Sequence, residues 1–269
     1  MADASVATAY RSIVLSRVAA QASYRTSFAI EVVSQAFIVL VEFAEVYVVF
    51  HQVDKLGGFS YAEVTLMYGI AVSAFGIADL VVGHLDQLPF YVRRGTFDAF
   101  LLRPLSPLGQ LVTSDFSLRR VGRVVTGFTV LAVALVAVDI DWTPGRLLLV
   151  VVTPLAGAAI FSAVFVATSA IGFWVIEGTE FANAFTYGGN YLSAFPFTVF
   201  GTVVRRFFTF LVPVAFVAYL PSLALLGRPD PLGLPGWLSW SAVPVAVVAW
   251  IASAAVWRTG LRHYVGAGS

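Results

Sequence analysis

Residues 146–174 read RLLLVVVTPLAGAAIFSAVFVATSAIGFW and carry a single charge, on the first residue. A helix rises about 1.5 Å per residue and the hydrocarbon core of a membrane is about 30 Å thick, so about 20 apolar residues span it. A run of this length and polarity is typical of a transmembrane helix, and it decides the fold class.

The rest of the 269-residue chain repeats this pattern. Only 12% of the residues are charged, against roughly 25% in a soluble domain, while 59% are hydrophobic and the mean hydropathy is +0.88. We therefore predict an all-α integral membrane protein with a single transmembrane domain, residues 1–269. The six predicted transmembrane helices are 27–50, 61–83, 121–139, 146–174, 207–227 and 237–257.

The distribution of basic residues predicts the orientation, because loops that stay in the cytoplasm are enriched in Lys and Arg. A cytoplasmic N-terminus places 13 basic residues inside and three, Lys55, Arg146 and Arg228, outside. The inside set is Arg11, Arg17, Arg25, Arg93, Arg94, Arg103, Arg119, Arg120, Arg123, Arg205, Arg206, Arg258 and Arg262. Six crossings then leave both termini cytoplasmic. The N-terminal residues lack the compact apolar core of a removable signal peptide.

Overall charge and cysteine content exclude several functions. The 16 basic and 15 acidic residues nearly cancel, so no overall field attracts nucleic acid. The chain has no cysteine, which excludes disulfides, thiolate metal sites and a thiol nucleophile.

The stretch 175–206 is aromatic and apolar but interrupted by Gly188, Gly189, Asn190 and Pro196. A crossing here would move the basic C-terminus outside, so we predict an interfacial or re-entrant segment on the cytoplasmic side. Glu177 and Glu180 in this stretch are candidates to face Arg205 and Arg206, or to contact a partner protein.

The longest cytoplasmic connection, 84–120, predicts two short helices around a turn. The first presents Phe97, Phe100 and Leu101 on one side and ends at Arg103, since a residue before proline avoids helical backbone. Ser106 and Pro107 are typical of an N-cap and first helical position. The connection is either a basic loop that fixes topology or a docking element, and its apolar FDAFLL stripe favours a partner surface.

A polar stripe runs along the first predicted span. At 100° per residue, Glu31, Gln35, Glu42 and Glu45 fall within roughly 80° of one another. Ionisable groups are costly in hydrocarbon and often mark a substrate path. Alternatively, Glu31 and Glu45 reach the interfaces, and Glu42 bonds a neighbouring helix.

Two further features have both a functional and a structural interpretation. Asp79, His84 and Asp86 lack a fourth partner for a metal, so we predict no metal site and a solvated helix end. Pro213 and Pro221 should bend the fifth span, as a moving gate or as a fixed kink. Four aromatic residues are typical interfacial anchors rather than ligands: Trp142, Trp237, Trp240 and Tyr61.

Three stretches resemble the membrane subunits of ABC exporters of the ABC-2 class, in the six-span bacterial branch of unknown substrate. They are RRGTFDAFLLRPLSPLGQ at 93–110, TFLVPVAFVAYLPSLALLG at 209–227 and LRHYVGAGS at 261–269. The resemblance implies an interfacial N-terminal helix at 1–26 and a coupling helix at 96–102 that docks on an ATPase. Arg93, Arg94 and Arg103 would flank that helix.

The resemblance also implies partners and a location. A P-loop needs a Gly-Lys-Ser/Thr sequence, and the chain's one lysine lies in VDKLGG, so ATP and Mg²⁺ belong to a separate ATPase subunit. One six-span bundle is half of a usual membrane domain, which implies a homodimer or a heterodimer with a similar permease. We expect a bacterial cytoplasmic membrane and outward movement of an amphipathic or hydrophobic substrate.

Two other classes of function compete with this hypothesis. A secondary transporter working without ATP would show symmetric halves and mid-membrane ion ligands, and no repeat relates 1–135 to 136–269. An intramembrane enzyme would need clustered nucleophiles, histidines or metal ligands. We therefore predict a transport subunit rather than an enzyme.

Overall fold

The computed structural model describes residues 2–23, 25–114, 117, 120–175 and 179–264. These residues form helices and contain no β-strand, which confirms the predicted all-α membrane fold. Arg119, Glu177 and residues 265–269 lie outside the described residues. The α-helices are α1 Ala2–Ser23, α2 Arg25–Phe50, α3 Tyr61–Val82, α4 Leu88–Arg93, α5 Asp98–Leu101, α6 Pro107–Ser114, α7 Val121–Ala137, α8 Pro144–Ala170, α9 Thr179–Ser193, α10 Thr202–Arg206, α11 Tyr219–Leu226 and α12 Ala242–His263.

Helix α3 is the centre of the bundle and packs between α7 and α8. A Cβ at Gly69 would lie 2.7 Å from the backbone of Leu131, and one at Gly127 would lie 2.8 Å from the backbone nitrogen of Ser73. Glycine is therefore what allows α3 and α7 to approach so closely, as is common where packing drives helix association in membranes. Helices α2 and α12 lie at the periphery with broad exposed apolar faces.

Local sequence signals set the starts of the long helices. Ser60 and Glu63 form a capping box at α3, in which the Ser60 backbone N–H donates to the Glu63 carboxylate at 2.7 Å. Thr143 caps α8 and is followed by Pro144 at the first helical position. Both signals lie just before an apolar run.

The bundle has two ends, which we name by their residues. The loop end carries the α2–α3 turn, residues 51–60, and the basic end carries residues 83–114. Helices α2, α3, α8 and α12 are long and apolar enough to cross a membrane, and one bent helix pair would add a fifth candidate. Helix α7 has 17 residues and is shorter, so length and composition do not confirm the count of six.

The predicted fifth span over 207–227 is bent at one of its two prolines, as the sequence indicated, and does not run as one helix. Thr202–Leu211 and Val214–Leu226 form two helical segments bent by 74° at Pro213. Pro213 has no N–H to continue a helix, and Val212 before it is extended. Both segments return to the loop end, where Arg228 binds Glu63, so the pair is a re-entrant hairpin, residues 202–226.

The stretch 175–206 also differs from the expectation of an interfacial segment. Helix α9 lies along α3: the Tyr187 ring is 5.4 Å from that of Phe75. At its far end the Thr198 hydroxyl donates to the Gly57 carbonyl at 2.8 Å, which places Thr198 at the loop end. The chain therefore runs the length of the bundle in α9, and the re-entrant element follows it at the opposite end from the one expected.

The two differences cancel: the chain runs the length of the bundle in α9, and the hairpin that follows returns to the end at which it starts. The first and last described helices therefore still end on the same side, as predicted. Helix α12 ends beside residues 170–174 at the basic end, where the Tyr264 hydroxyl donates to Asp98. At the same end α1 packs on α6, and the Tyr10 hydroxyl donates to the Ser106 carbonyl at 3.4 Å. Both ends of the described chain thus lie at the basic end.

Single cysteines test this topology, because the natural chain has none. We expect Val199→Cys, at a position 40% exposed, to react in intact cells with a membrane-impermeant maleimide. Leu102→Cys, at a position 86% exposed, should react only after permeabilisation. Labelling of both variants only after permeabilisation would place the two ends of α9 on one side of the membrane and contradict the crossing.

Candidate functional site

The predicted coupling segment is a tight turn followed by one helical turn. Gly95 adopts a positive φ of 67°, a conformation that costs glycine little, and α5 follows from Asp98 to Leu101. The helix is shorter than the predicted 96–102. Helix α6 starts at Pro107 as predicted, and the Ser106 hydroxyl accepts from the Gly109 N–H at 3.4 Å.

The aromatic side of this segment faces the bundle. Phe97 is 0% exposed, and its ring lies 5.3 Å from Phe173 and 5.1 Å from Tyr264. Phe100 is half-buried, 5.4 Å from the ring of Tyr91. Because an apolar stripe buries equally well against its own bundle or a partner, periodicity alone did not distinguish the two.

The opposite side forms the basic outer surface, which we define as Arg93, Arg94, Leu101, Leu102 and Arg103. All five are exposed, and Leu102 is 86% exposed. The Arg94 guanidinium lies 4.2 Å from the centre of the Phe90 ring, a contact worth about 0.5–1 kcal/mol at exposed sites. The sequence prediction included Leu102 in the coupling helix 96–102 but did not name it among the contact residues. The coupling role of these residues stays a prediction.

Two polar contacts hold the segment in place. The buried Gln110 amide donates to the Phe100 carbonyl at 2.8 Å and to the Leu105 carbonyl at 3.0 Å, which fixes the turn between α5 and α6. The Tyr264 hydroxyl donates to the Asp98 carboxylate at 2.9 Å. Burial, together with the hydrogen bond to Asp98 and its charge, raises the pKa of Tyr264 to about 12, so the phenol keeps its proton at neutral pH.

The four residues of the first-span stripe do not converge on one cavity. Glu31 is exposed and Gln35 is half-buried beside Gly122. The Glu42 carboxylate pairs with Arg123 of α7 at 3.6 Å. Glu45 is exposed and accepts from the Tyr191 hydroxyl at 3.4 Å. Thus Glu42 bonds a neighbouring helix, as the alternative interpretation stated, and the stripe's role in a substrate path stays a prediction.

A polar pocket of about 110 Å³ lies where α2, α3, α7 and α9 meet. Glu42, Arg123 and Asn190 line it together with tyrosines of α3 and α9. Among the described residues, Arg123 Nε and the Asn190 side-chain oxygen have no hydrogen-bond partner. A water needs roughly 10–15 Å³ of such space, so the pocket can hold several waters or one small polar group. Sequence reasoning missed it because its walls come from four separate helices.

Two of the three polar residues at the end of α3 are not solvated, contrary to expectation, while Asp86 is half-buried. Asp79 and His84 are buried. The Asp79 carboxylate pairs with Arg120 Nε at 3.3 Å, and Arg120 Nη1 also donates to the Asp79 carbonyl at 3.0 Å. His84 lies 3.0 Å from the Tyr91 hydroxyl. No group of three potential metal ligands occurs within the described part of the chain.

The two prolines of the hairpin differ in effect. Pro213 lies at the 74° bend. Pro221 is buried in the first turn of α11, where backbone N–H groups have no intrahelical partner and a proline costs little. Whether the hairpin moves as a gate stays a prediction.

An ionic cluster holds the hairpin to the α2–α3 turn. Arg228 Nη1 lies 2.7 Å from the Glu63 carboxylate, Nη2 donates to the Gly58 carbonyl at 3.2 Å, and the guanidinium lies 4.6 Å from the Phe59 ring centre. The Tyr219 hydroxyl donates to Asp230. Sequence reasoning missed this cluster because Glu63 and Arg228 are far apart in the chain.

A family model described as ABC-2 family transporter protein matches residues 36–268, from the middle of α2 to beyond α12. No curated protein and no solved structure matches the chain. A match over most of the chain, on an all-α fold with membrane-spanning helices, identifies a permease of an ABC transporter: the chain belongs to the ABC-2 family of transporter proteins.

Proposed function

We propose that this permease is the transmembrane subunit of an ATP-driven exporter and that a separate ATPase subunit supplies the energy. ATP and Mg²⁺ would bind on that subunit, since this chain has one lysine, Lys55, and no P-loop around it. The observation that carries the proposal is the basic outer surface. It combines an 86% exposed leucine with three exposed arginines on a segment held firmly to the bundle.

The packing behind this surface supports force transfer. Phe97 contacts Phe173, which in turn lies 5.3 Å from the ring of Trp257 in α12. The bond between Tyr264 and Asp98 ties the same segment to the end of α12. A push on α5 would therefore reach α8 and α12 through contacting aromatic rings, and α6 through Gln110.

The charge distribution supports cytoplasmic termini in a bacterial cytoplasmic membrane. Because the hairpin starts at the loop end, Arg205 and Arg206 move from the inside count to the outside count. Among the described residues, the basic end then holds ten basic residues and the loop end five. The excess is smaller than the sequence alone predicted, yet it still favours the basic end as the cytoplasmic side.

Export of an amphipathic or hydrophobic substrate rests on the resemblance to ABC-2 exporters. The hairpin at the proposed outer face and the polar pocket beside α2 and α9 are consistent with a path between two such bundles. The second bundle would be another copy of this chain or a similar permease. Most of the α2 surface is not buried within this chain. This exposed side of α2 supports a contact with the second bundle.

Co-purification and one exposed residue test the proposal. With a cognate ATPase co-expressed, we expect Leu102→Glu to weaken recovery of the ATPase with the permease by about tenfold or more, as for a central contact residue. Val203→Glu, at an 81% exposed position of the loop end, is the matched control and should leave recovery unchanged. Transport by the purified chain without any ATPase would overturn the proposal.

A further inference from the structure

An apolar groove runs between α12, α8 and the re-entrant hairpin. It encloses about 530 Å³, within the range of about 300–1,000 Å³ typical of ligand sites. Its hairpin wall includes Phe210, Leu211 and Pro213, and Trp237 lies at its loop end. Phe210, Leu211 and Trp237 are each about two-thirds exposed, which leaves the groove open at the side of the bundle.

The walls offer little to a polar ligand. Ser241 and Ser253 also line the groove, but each hydroxyl donates to a carbonyl of its own segment, Ser241 to Leu238 at 2.7 Å and Ser253 to Trp250 at 3.0 Å. Thr209 is a further lining residue and is buried, and the rest of the lining is hydrocarbon and aromatic. An occupant must therefore be apolar along the groove.

The length of the groove matches one leaflet of a membrane. Along α12 the lining runs from Pro244 to Val256, and twelve residues at about 1.5 Å per residue give about 18 Å. Half of a hydrocarbon core of about 30 Å is about 15 Å. An acyl chain that enters at the loop end would thus reach the middle of the membrane within the groove.

Arg206 is outside the groove lining and lies on the hairpin segment that leads from the loop end to the groove residue Phe210. Arg206 is exposed and precedes Phe210 by four residues, about one helical turn toward the loop end. Within the part of the chain that the structure describes, no ion pair of Arg206 occurs. Its neighbour Arg205 instead donates to Thr202. The exposed guanidinium and the Trp237 indole are the groups expected at headgroup level.

We propose that this groove binds a phospholipid of the outer leaflet with an anionic headgroup. One acyl chain lies along α12 against the hairpin, and the headgroup phosphate pairs with Arg206. The lipid fills the space behind Pro213, so it packs against the bend of the hairpin. This site is separate from the basic outer surface and does not depend on the ATPase, whereas its assignment to the outer leaflet rests on the proposed orientation.

Tryptophan quenching by brominated lipids tests the proposal on the full chain in detergent. We expect phosphatidylglycerol with brominated chains to quench fluorescence more strongly than brominated phosphatidylcholine, and Trp237→Phe to remove most of the quenched component. The preference should be about fivefold, as expected for one basic residue at the membrane surface. Arg206→Gln should abolish the preference and Arg206→Lys should retain it.

Filling the groove provides the matched test. Ala252 lines it, whereas Ala255 is exposed on α12 and does not. Ala252→Phe should weaken lipid binding about tenfold, as for other overfilled sites, and Ala255→Phe should leave it unchanged. Equal quenching by both lipids in the natural chain, or normal binding by Ala252→Phe, would overturn the proposal. So would efficient disulfide dimers of Val248→Cys in membranes, since a second copy would then cover the groove.

Discussion

Replacement of Asp79 with alanine is expected to destabilise the permease by about 3–5 kcal/mol, the usual cost of leaving a buried charge without its partner. Arg120 and Asp79 have side chains only 11% and 10% exposed and lie 3.3 Å apart. Gly83 packs against both groups, because a Cβ there would contact the Asp79 carboxylate and the Arg120 guanidinium. Neither charge can turn toward water without moving the end of α3.

A double replacement tests whether the loss of stability comes from an unpaired buried charge. Asp79→Leu with Arg120→Met removes both charges and keeps apolar volume, a change that is often neutral or stabilising for buried pairs. We expect the thermal midpoint, followed by tryptophan fluorescence in detergent, to fall in Asp79→Ala and to recover in the double variant. A double variant as unstable as the single one would mean that the ion pair does not account for the loss.

The second large effect is expected at Phe97. Phe97→Ala should cost about 3–5 kcal/mol, since it deletes a fully buried ring and leaves a cavity. The ring contacts Phe173 and Tyr264, so its loss would loosen α5 from the ends of α8 and α12. Thermal unfolding in detergent measures the change.

Leu102→Ala is the matched control for Phe97→Ala. Leu102 is 86% exposed, and surface changes usually stay within about 0.5 kcal/mol. We expect it to leave the unfolding midpoint unchanged while it weakens recovery of the ATPase. If Phe97→Ala is stable but fails to recover the ATPase, Phe97 contacts the ATPase directly. That result would contradict its structural role.

The sequence predicted the elements whose signal is local. The apolar run at 146–174 became α8, the predicted span at 61–83 became α3, and Ser106 and Pro107 began α6. Charge, length and hydropathy act residue by residue, so composition was enough for the all-α membrane fold. The FDAFLL stripe was also recognised, but not that its phenylalanines face the bundle while its leucines are exposed.

The errors in the membrane part have a single cause. Gly188, Gly189 and Asn190 resemble breaks in isolation, yet α9 runs through them. A Cβ at Gly189 would lie 3.5 Å from Val214 of the hairpin, and Asn190 lines the polar pocket. Conversely, the hydropathy of 207–227 is high enough for a transmembrane helix. Only Pro213 indicated that the chain turns back there. Broken backbone at membrane depth is tolerated where it packs on protein, and hydropathy does not register that packing.

The amino-acid sequence alone determined that this is an integral membrane protein, that its core is helical and that its basic residues favour one side. These properties follow from transfer free energies and backbone propensities, which are properties of short segments. The tertiary structure decided which segments cross, which return, and which charges are paired. Those outcomes depend on distant residues: Thr198 with Gly57, Arg120 with Asp79, and Tyr264 with Asp98. The free energy of such contacts exists only once the helices have packed, so no local pattern in the chain encodes them.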